Sequence, residues 1–253
     1  MTPTDLAGPA DGGTAVPEAI AAFAAGAAVT PVWRNVVGGL TFRIARGTHP
    51  GGAVFVKWNP AGSGESLADE ERRLRWLQDR FPAPRVVASG ADAAGEWLAT
   101  GAIHALSAVS PAWVSRPDAA ARAMGEGLRL LHESLDPAAC PFDWSVPRRL
   151  EAARASGSPV PRSLHEPPAI DRLVVCHGDP CAPNTLIDDD GSFAAIVDVA
   201  RLGTADRWAD LAVASWSLEW NFGAGREQAF FDSYGVAPDP ERIDYYRRLW
   251  DAT

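Results

Sequence analysis

The sequence predicts an α+β chain in two parts: a small antiparallel sheet carrying one helix, then a larger and mainly helical part. Three observations predict it. Short β-branched and aromatic runs, punctuated by glycine and proline, crowd residues 33–103. From residue 118 onward apolar residues recur at helical spacing instead, with Met124, Leu128, Leu131 and Leu135 on one face. The length of 253 residues, 47% hydrophobic and 22% charged, suits one domain or two small ones with real cores.

Taken in order, residues 1–16 are rich in Ala, Gly, Thr and Pro without periodicity and read as a disordered end. Pro17-Glu18 opens a short helix, with proline in the first turn and an acid near the positive N-terminus. Residues 35–37 and 40–45 form a hairpin around Gly38-Gly39, and residues 53–58 follow as a third strand after the turn at 49–52. Residues 66–81 carry Leu67, Leu74 and Leu77 among charges and read as a helix, which Pro82-Ala83-Pro84 stops. Strands at 85–88 and 97–100 complete the sheet. Beyond residue 103 come a helix at 118–135, a Pro/Ser/Gly-rich loop at 156–168, and short strands at 173–176 and 194–197 flanking 184–187. Helices at 208–221, at 226–234 and from Pro240 onward end the chain.

A net charge of −9 argues against nucleic acid as a partner, because a phosphate backbone demands a basic surface. The longest uncharged apolar run, residues 19–29, falls well short of the ~20 residues of a membrane span, and no basic stretch precedes it. Three cysteines without CxxC spacing speak against a disulfide framework or structural zinc, so the expected setting is reducing and cytoplasmic. Of the 23 basic residues only Lys57 is lysine. A background that writes arginine everywhere else has kept a compact ammonium at one place, which marks a site where a planar fork does not fit.

The densest motif is His177-Gly178-Asp179-Pro180-Cys181-Ala182-Pro183-Asn184, between two hydrophobic strands, with Asp198 at the end of the second. Phosphoryl transfer from a nucleotide uses such a set: one carboxylate takes the proton of the attacking hydroxyl, while an Asn and a second carboxylate hold Mg²⁺ against the phosphates. Lys57 ends an apolar strand after a glycine-containing hairpin, placed to reach α- and β-phosphates, with a helical Glu as partner. Glu70 is the candidate because it shares a side with Leu74. Gly38 and Gly39 can lie over a triphosphate with their N–H groups toward oxygen. No G-x-x-x-x-G-K-[ST] sequence occurs, which excludes a Walker-type site.

His177 to Asn184, together with Asp198-Val199-Ala200-Arg201-Leu202-Gly203 and Ala205-Asp206-Arg207-Trp208-Ala209-Asp210-Leu211-Ala212, resembles the signature of the aminoglycoside phosphotransferases, most of all the 3'-phosphotransferases. The likeness runs from about Trp33 to the last residue. It implies a protein-kinase-like, bilobal fold, with a nucleotide-binding lobe at 17–102 and a catalytic and substrate-binding lobe at 103–253. It also implies transfer from ATP or GTP, with Mg²⁺, to a hydroxyl of a cationic aminoglycoside, conferring antibiotic resistance. By position Asp179 is the catalytic base and Asn184 and Asp198 are the Mg²⁺ ligands. Lys57 and Glu70 place the phosphates, and residues 99–102, Thr100 and Ala102 among them, present backbone to the adenine. Arg201, Asp251, Asp143 and Glu219 are the candidates for the phosphate or substrate edge. Asp206 and Asp210 are expected to cap the helix near Trp208, and His177 to be a structural hydrogen-bonding residue.

The chain also departs from the pattern. Trp220 and Asn221 stand where acids are usual, and Trp216 stands where a base is usual. Readings that keep the fold and change the acceptor remain: a streptomycin-type, macrolide, choline-like or metabolite kinase, or a non-catalytic nucleotide-binding module. From Asp171 onward 15 Asp and Glu face 7 Arg, which suits a polycationic acceptor.

Overall fold

The computed structural model describes residues 7–35, 37–46 and 52–253. Val36 and the 49–51 part of the expected turn lie outside them, as do residues 1–6. The chain divides into two compact units, one of Met1–Gln78 with Ala83–His104 and one of Asp79–Pro82 with Ala105–Thr253.

The first unit is built on one antiparallel sheet. Its strands are β1 (Ala7–Pro9), β2 (Val29–Asn35), β3 (Leu40–Ala45), β4 (Ala53–Pro60), β5 (Val86–Ala91) and β6 (Gly95–Gly101), in the order β1-β2-β3-β4-β6-β5. Two helices accompany it, α1 (Glu18–Ala24) and α2 (Leu67–Leu77). Alternate residues of β3 and β4, Phe42, Ile44, Val54 and Val56, point to one face and pack with Ile20 and Ala24 of α1 and Ala99 of β6.

The expectation of a disordered end at 1–16 is corrected for its described part. β1 pairs with β2, Ala10 donates to the Val32 carbonyl at 3.2 Å, and Asp11 folds the next turn by accepting from the Gly13 N–H at 3.1 Å. The strand read at 35–37 lies earlier, at Val29–Asn35, and Val37 falls in the turn. The helix read to Phe81 ends at Leu77, because Gln78 leaves helical geometry and Asp79 takes a left-handed φ of 64°. Lys57 lies within β4 and not at its end.

The second unit is mainly helical. Its order is β7 (Leu106–Ser107), α3 (Pro111–Val114), α4 (Pro117–Ser134), α5 (Val146–Ala155), β8 (Leu173–Cys176), β9 (Thr185–Ile187), β10 (Phe193–Ile196), β11 (Gly203–Asp206), α6 (Trp208–Phe222), α7 (Glu227–Tyr234) and α8 (Pro240–Ala252). β7, β9 and β10 form one small antiparallel sheet and β8 pairs with β11 in another. α5 escapes the period because only Val146 and Leu150 stand apolar among Arg, Glu and Ala, and Arg149 shares their buried side. The loop at 156–168 contains a 3₁₀ turn at Arg162–His165. Apolar faces of α4 and α7 bury Met124, Leu128, Leu131, Phe230 and Phe231. Among the described residues no helix is long and apolar enough to cross a membrane.

Candidate active site

In the first unit the lone lysine is paired as the sequence predicts. Lys57 Nζ donates to both Glu70 oxygens, at 2.8 and 2.9 Å. Glu70 is buried in the first turn of α2, where Ser66 caps the helix by accepting from the Asp69 N–H at 3.2 Å. A carboxylate so enclosed keeps its charge only with a partner, and the ammonium supplies it. The glycine turn is tied down rather than loose. Gly38 adopts φ 84°, open to glycine without strain, while Gly39 donates to Asn35 Oδ1 at 2.6 Å and returns its carbonyl to the Asn35 N–H at 3.0 Å. Asn35 is held in turn by Glu65 Oε2 at 3.2 Å. Thr100 lies in β6 between Phe55 and Val86. The Ala102 N–H is already donated to the Ala53 carbonyl at 3.2 Å, so that residue has its carbonyl, not its N–H, to offer a purine.

In the second unit β8 delivers the chain into the loop that carries Asp179. Gly178 turns it with φ 83°, and a Cβ there would stand 2.2 Å from the Arg201 carbonyl oxygen, so only glycine fits. One buried carboxylate holds the turn. Asp210 of α6 accepts from the His177 N–H at 2.6 Å, from the Gly178 N–H at 3.0 Å and from His132 Nε2 at 3.0 Å. His132 Nδ1 lies 2.9 Å from the Tyr234 hydroxyl, and burial pushes that phenol up to about 12, which keeps it a donor. The reading of Asp210 as a helix cap is therefore corrected: its oxygens go to the loop. Asp206 stands one residue before the N-cap position of α6, which Arg207 occupies, and accepts from the Trp208 N–H at 3.1 Å.

His177 is the hydrogen-bonding residue the sequence suggests. Its Nδ1 accepts from the Asp179 N–H at 3.2 Å and its Nε2 donates to the Val197 carbonyl at 3.0 Å, a pairing that needs the proton on Nε2. The imidazole thus joins the Asp179 loop to the strand end that leads to Asp198. On the other side Ser217 of α6 accepts from the Ala182 N–H at 2.8 Å. Within this frame Asp179 Oδ1 is buried and has no hydrogen-bond partner among the described residues. The Cys181 thiol beside it is raised well above its ordinary value, by burial first and then by the Asp179 charge, so it stays a thiol and not a nucleophile.

Asn184 Nδ2 donates to the Asp179 carbonyl at 2.9 Å, and Val197 donates to the Asn184 carbonyl at 3.0 Å. Asp198 follows with a left-handed φ of 61°. The structure therefore gathers Asp179, Asn184 and Asp198 on one hydrogen-bonded frame. Arg201 lies against Gly178, its guanidinium 5.0 Å from the Trp250 ring centre and 5.8 Å from that of Trp144. Asp143 is exposed and folds back on the Ser145 N–H at 2.8 Å. Glu219 and Asp251 are exposed on α6 and α8. Trp216 and Trp220 pack together on the same helix as Glu219, with ring centres 4.6 Å apart and planes tilted by 44°.

The sequence profile of the phosphotransferase enzyme family matches residues 32–246. The chain belongs to that family. An aminoglycoside 3'-phosphotransferase of Streptomyces fradiae is 33% identical to this phosphotransferase over 84% of the chain and 90% of its own length. A streptomycin 3''-kinase of Streptomyces griseus is 32% identical over 84% and 87%. Among solved structures, the aminoglycoside phosphotransferase APH(3'')-Id of Streptomyces rimosus, in complex with ADP and streptomycin, is 28% identical with a TM-score of 0.68, covering 92% of this chain and 98% of its own.

Three parts of the phosphotransferase site escape sequence reasoning. Asp210 was legible as an acid in a signature segment, but its partner groups are backbone N–H groups 32 and 33 residues away. His132 sits on the apolar face of α4 and carries no local signal. Arg149 is one of 22 arginines, and only its burial to 2% exposure sets it apart.

Proposed function

We propose that this chain transfers the γ-phosphoryl group of ATP to a hydroxyl of an aminoglycoside, the 3'-hydroxyl first, and so inactivates the antibiotic. The observation that carries the reading is Asp179 Oδ1, buried and unpartnered on a loop that Asp210, His177 and Ser217 hold in place. A carboxylate with one oxygen that the protein leaves without a hydrogen bond can turn to accept one from an entering alcohol and take its proton as the bond to phosphorus forms. Relatives named for aminoglycoside phosphorylation, and a related structure that holds ADP and streptomycin, support the acceptor class and the adenine nucleotide.

Asn184 and Asp198 suit Mg²⁺. Asn184 gives its Nδ2 to the Asp179 carbonyl, which leaves the amide oxygen as its atom for a cation, and one neutral and one anionic oxygen are the donors a hard cation takes. When bound, the ion neutralises charge on the β- and γ-phosphates. Lys57, aligned by Glu70, places the phosphates, and the 38–39 turn offers backbone to them. Arg201 and the acids Asp251, Glu219 and Asp143 face the acceptor's phosphate and ammonium groups.

A second reading keeps the chemistry and moves the hydroxyl: streptomycin at its 3'' position, favoured by the 32% identity to a streptomycin kinase. Coupled ADP release against kanamycin, neomycin, streptomycin, a macrolide and choline, followed by NMR of the products, tests both. Turnover of 3'-hydroxylated aminoglycosides is expected. Turnover of streptomycin alone moves the assignment to the 3'' position, and release of ADP with the macrolide or choline alone removes the aminoglycoside.

A further inference from the structure

The last turn of α8 is fastened from inside. Arg149 of α5 is 2% exposed, and neither an ion pair nor a carboxylate hydrogen bond reaches it among the described residues. Its Nε and Nη2 both donate to the Thr253 hydroxyl, at 3.1 and 2.8 Å, and Nη1 is buried without an acceptor. Thr253 Oγ1 in turn donates to the Leu249 carbonyl at 2.7 Å, capping the helix from which Asp251 projects. A cation at a helix C-terminus is favourably placed, but a buried guanidinium with no carboxylate bonded to it is expensive and calls for a reason.

The reason lies in what else this group holds. Its carbon is 4.9 Å from the Trp144 ring centre, and the same ring takes Arg201. Arg201 also rests on Trp250, in the turn that Thr253 caps. Trp144 is itself fixed by its backbone: it donates to the Thr204 carbonyl at 3.1 Å, and Thr204 donates to Phe142 at 2.9 Å, so residues 142–144 lie along β11, whose partner β8 runs into the Asp179 loop. One aromatic–cation stack therefore ties the end of α8 to the strand pair that carries the catalytic loop.

We propose that Arg149 is a positioning residue for the acceptor: by latching Thr253 and Trp144 it fixes Arg201 and the last turn of α8, with Asp251, at a set distance from Asp179. The proposal rests on the aminoglycoside reading above and deepens it. Arg149 touches neither substrate nor nucleotide in this assignment; it acts through Thr253, Trp144 and Arg201.

The test starts at the half-buried end of the latch, in the last turn of α8. Thr253→Val keeps shape and removes the hydroxyl; Thr253→Ser restores it. Thr253→Val is expected to raise aminoglycoside KM about five- to tenfold, the size of one ordinary intramolecular hydrogen bond, with nucleotide KM within twofold. Thr253→Ser should return to within twofold of the parent. Arg149→Lys, which cannot bond Thr253 and stack on Trp144 together, should reproduce the Thr253→Val split of the two KM values. Amide exchange at residues 250–253 should quicken in Thr253→Val. An unchanged aminoglycoside KM in Thr253→Val, or an Arg149→Lys protein that loses thermal stability while both KM values stay put, overturns the proposal. If the parent protein phosphorylates no aminoglycoside, the substrate reading fails by itself, and exchange at 250–253 still decides whether the latch exists.

Discussion

Asp179, the proposed base, has one side-chain oxygen that the protein leaves unbonded. Its backbone N–H and carbonyl are both bonded, to His177 and Asn184, while one carboxylate oxygen is left with nothing. Asp179→Asn should therefore leave the fold and nucleotide KM in place and lower kcat by at least about 10²-fold, the low end for loss of a general base, measured as coupled ADP release. Turnover within a few-fold of the parent would move the base elsewhere. Asp198 separates two effects at one position, because its left-handed backbone is tolerated by Asp and Asn and resisted by Ala. Asp198→Asn and Asp198→Ala should both abolish Mg²⁺-dependent turnover, and urea unfolding should find the Ala variant about 1 kcal/mol the less stable. At this scale the sequence was generous: the spacing of Asp179 and Asn184, and a lysine alone among arginines, are visible in one dimension. Arg149, His132 and the purpose of Asp210 were not, since each is defined by partners far away in the chain.

At the scale of elements, the loop after β8 is held by a helix that follows it in sequence. Asp210 is fully buried in the first turn of α6 and accepts from two consecutive N–H groups of the loop and from His132. Asp210→Ala strips three buried donors of their acceptor, at a cost of about 3 kcal/mol or more, read from the shift of the urea midpoint at constant m-value. Because those donors lie in the Asp179 loop, kcat should fall with stability, and a stable variant with full kcat would show that the loop holds itself. Elements with a strong period or a clear stop signal were legible: β3 and β4, α4, and the helices after Trp208 all begin within a residue or two of where the pattern puts them. β1, β7 and β11 were not, because strands of two to four residues are made by pairing rather than by their own pattern. α5 was hidden by the same logic, a helix whose buried side includes an arginine.

For the whole molecule, charge is the property that sets the encounter with a cationic acceptor. The net charge is −9, and the acids outnumber the arginines two to one from Asp171 onward. Long-range attraction of this kind is screened by salt, with a Debye length of about 10 Å at 0.1 M. Acceptor KM should therefore climb several-fold between 20 mM and 300 mM KCl while nucleotide KM changes much less, and an acceptor KM flat across that range would argue for an uncharged substrate. The arginine-rich composition has a further consequence for handling the protein in the laboratory. The chain holds a single ε-amino group, that of Lys57, a quarter exposed and engaged by Glu70. A general acylating reagent thus has one side-chain amine to modify besides the terminal α-amine, and a peptide digest tells the two apart. MgATP should slow modification of Lys57 and kanamycin alone should not, so the mass of the Lys57 peptide followed over time would report nucleotide occupancy without any radiolabel or coupled enzyme.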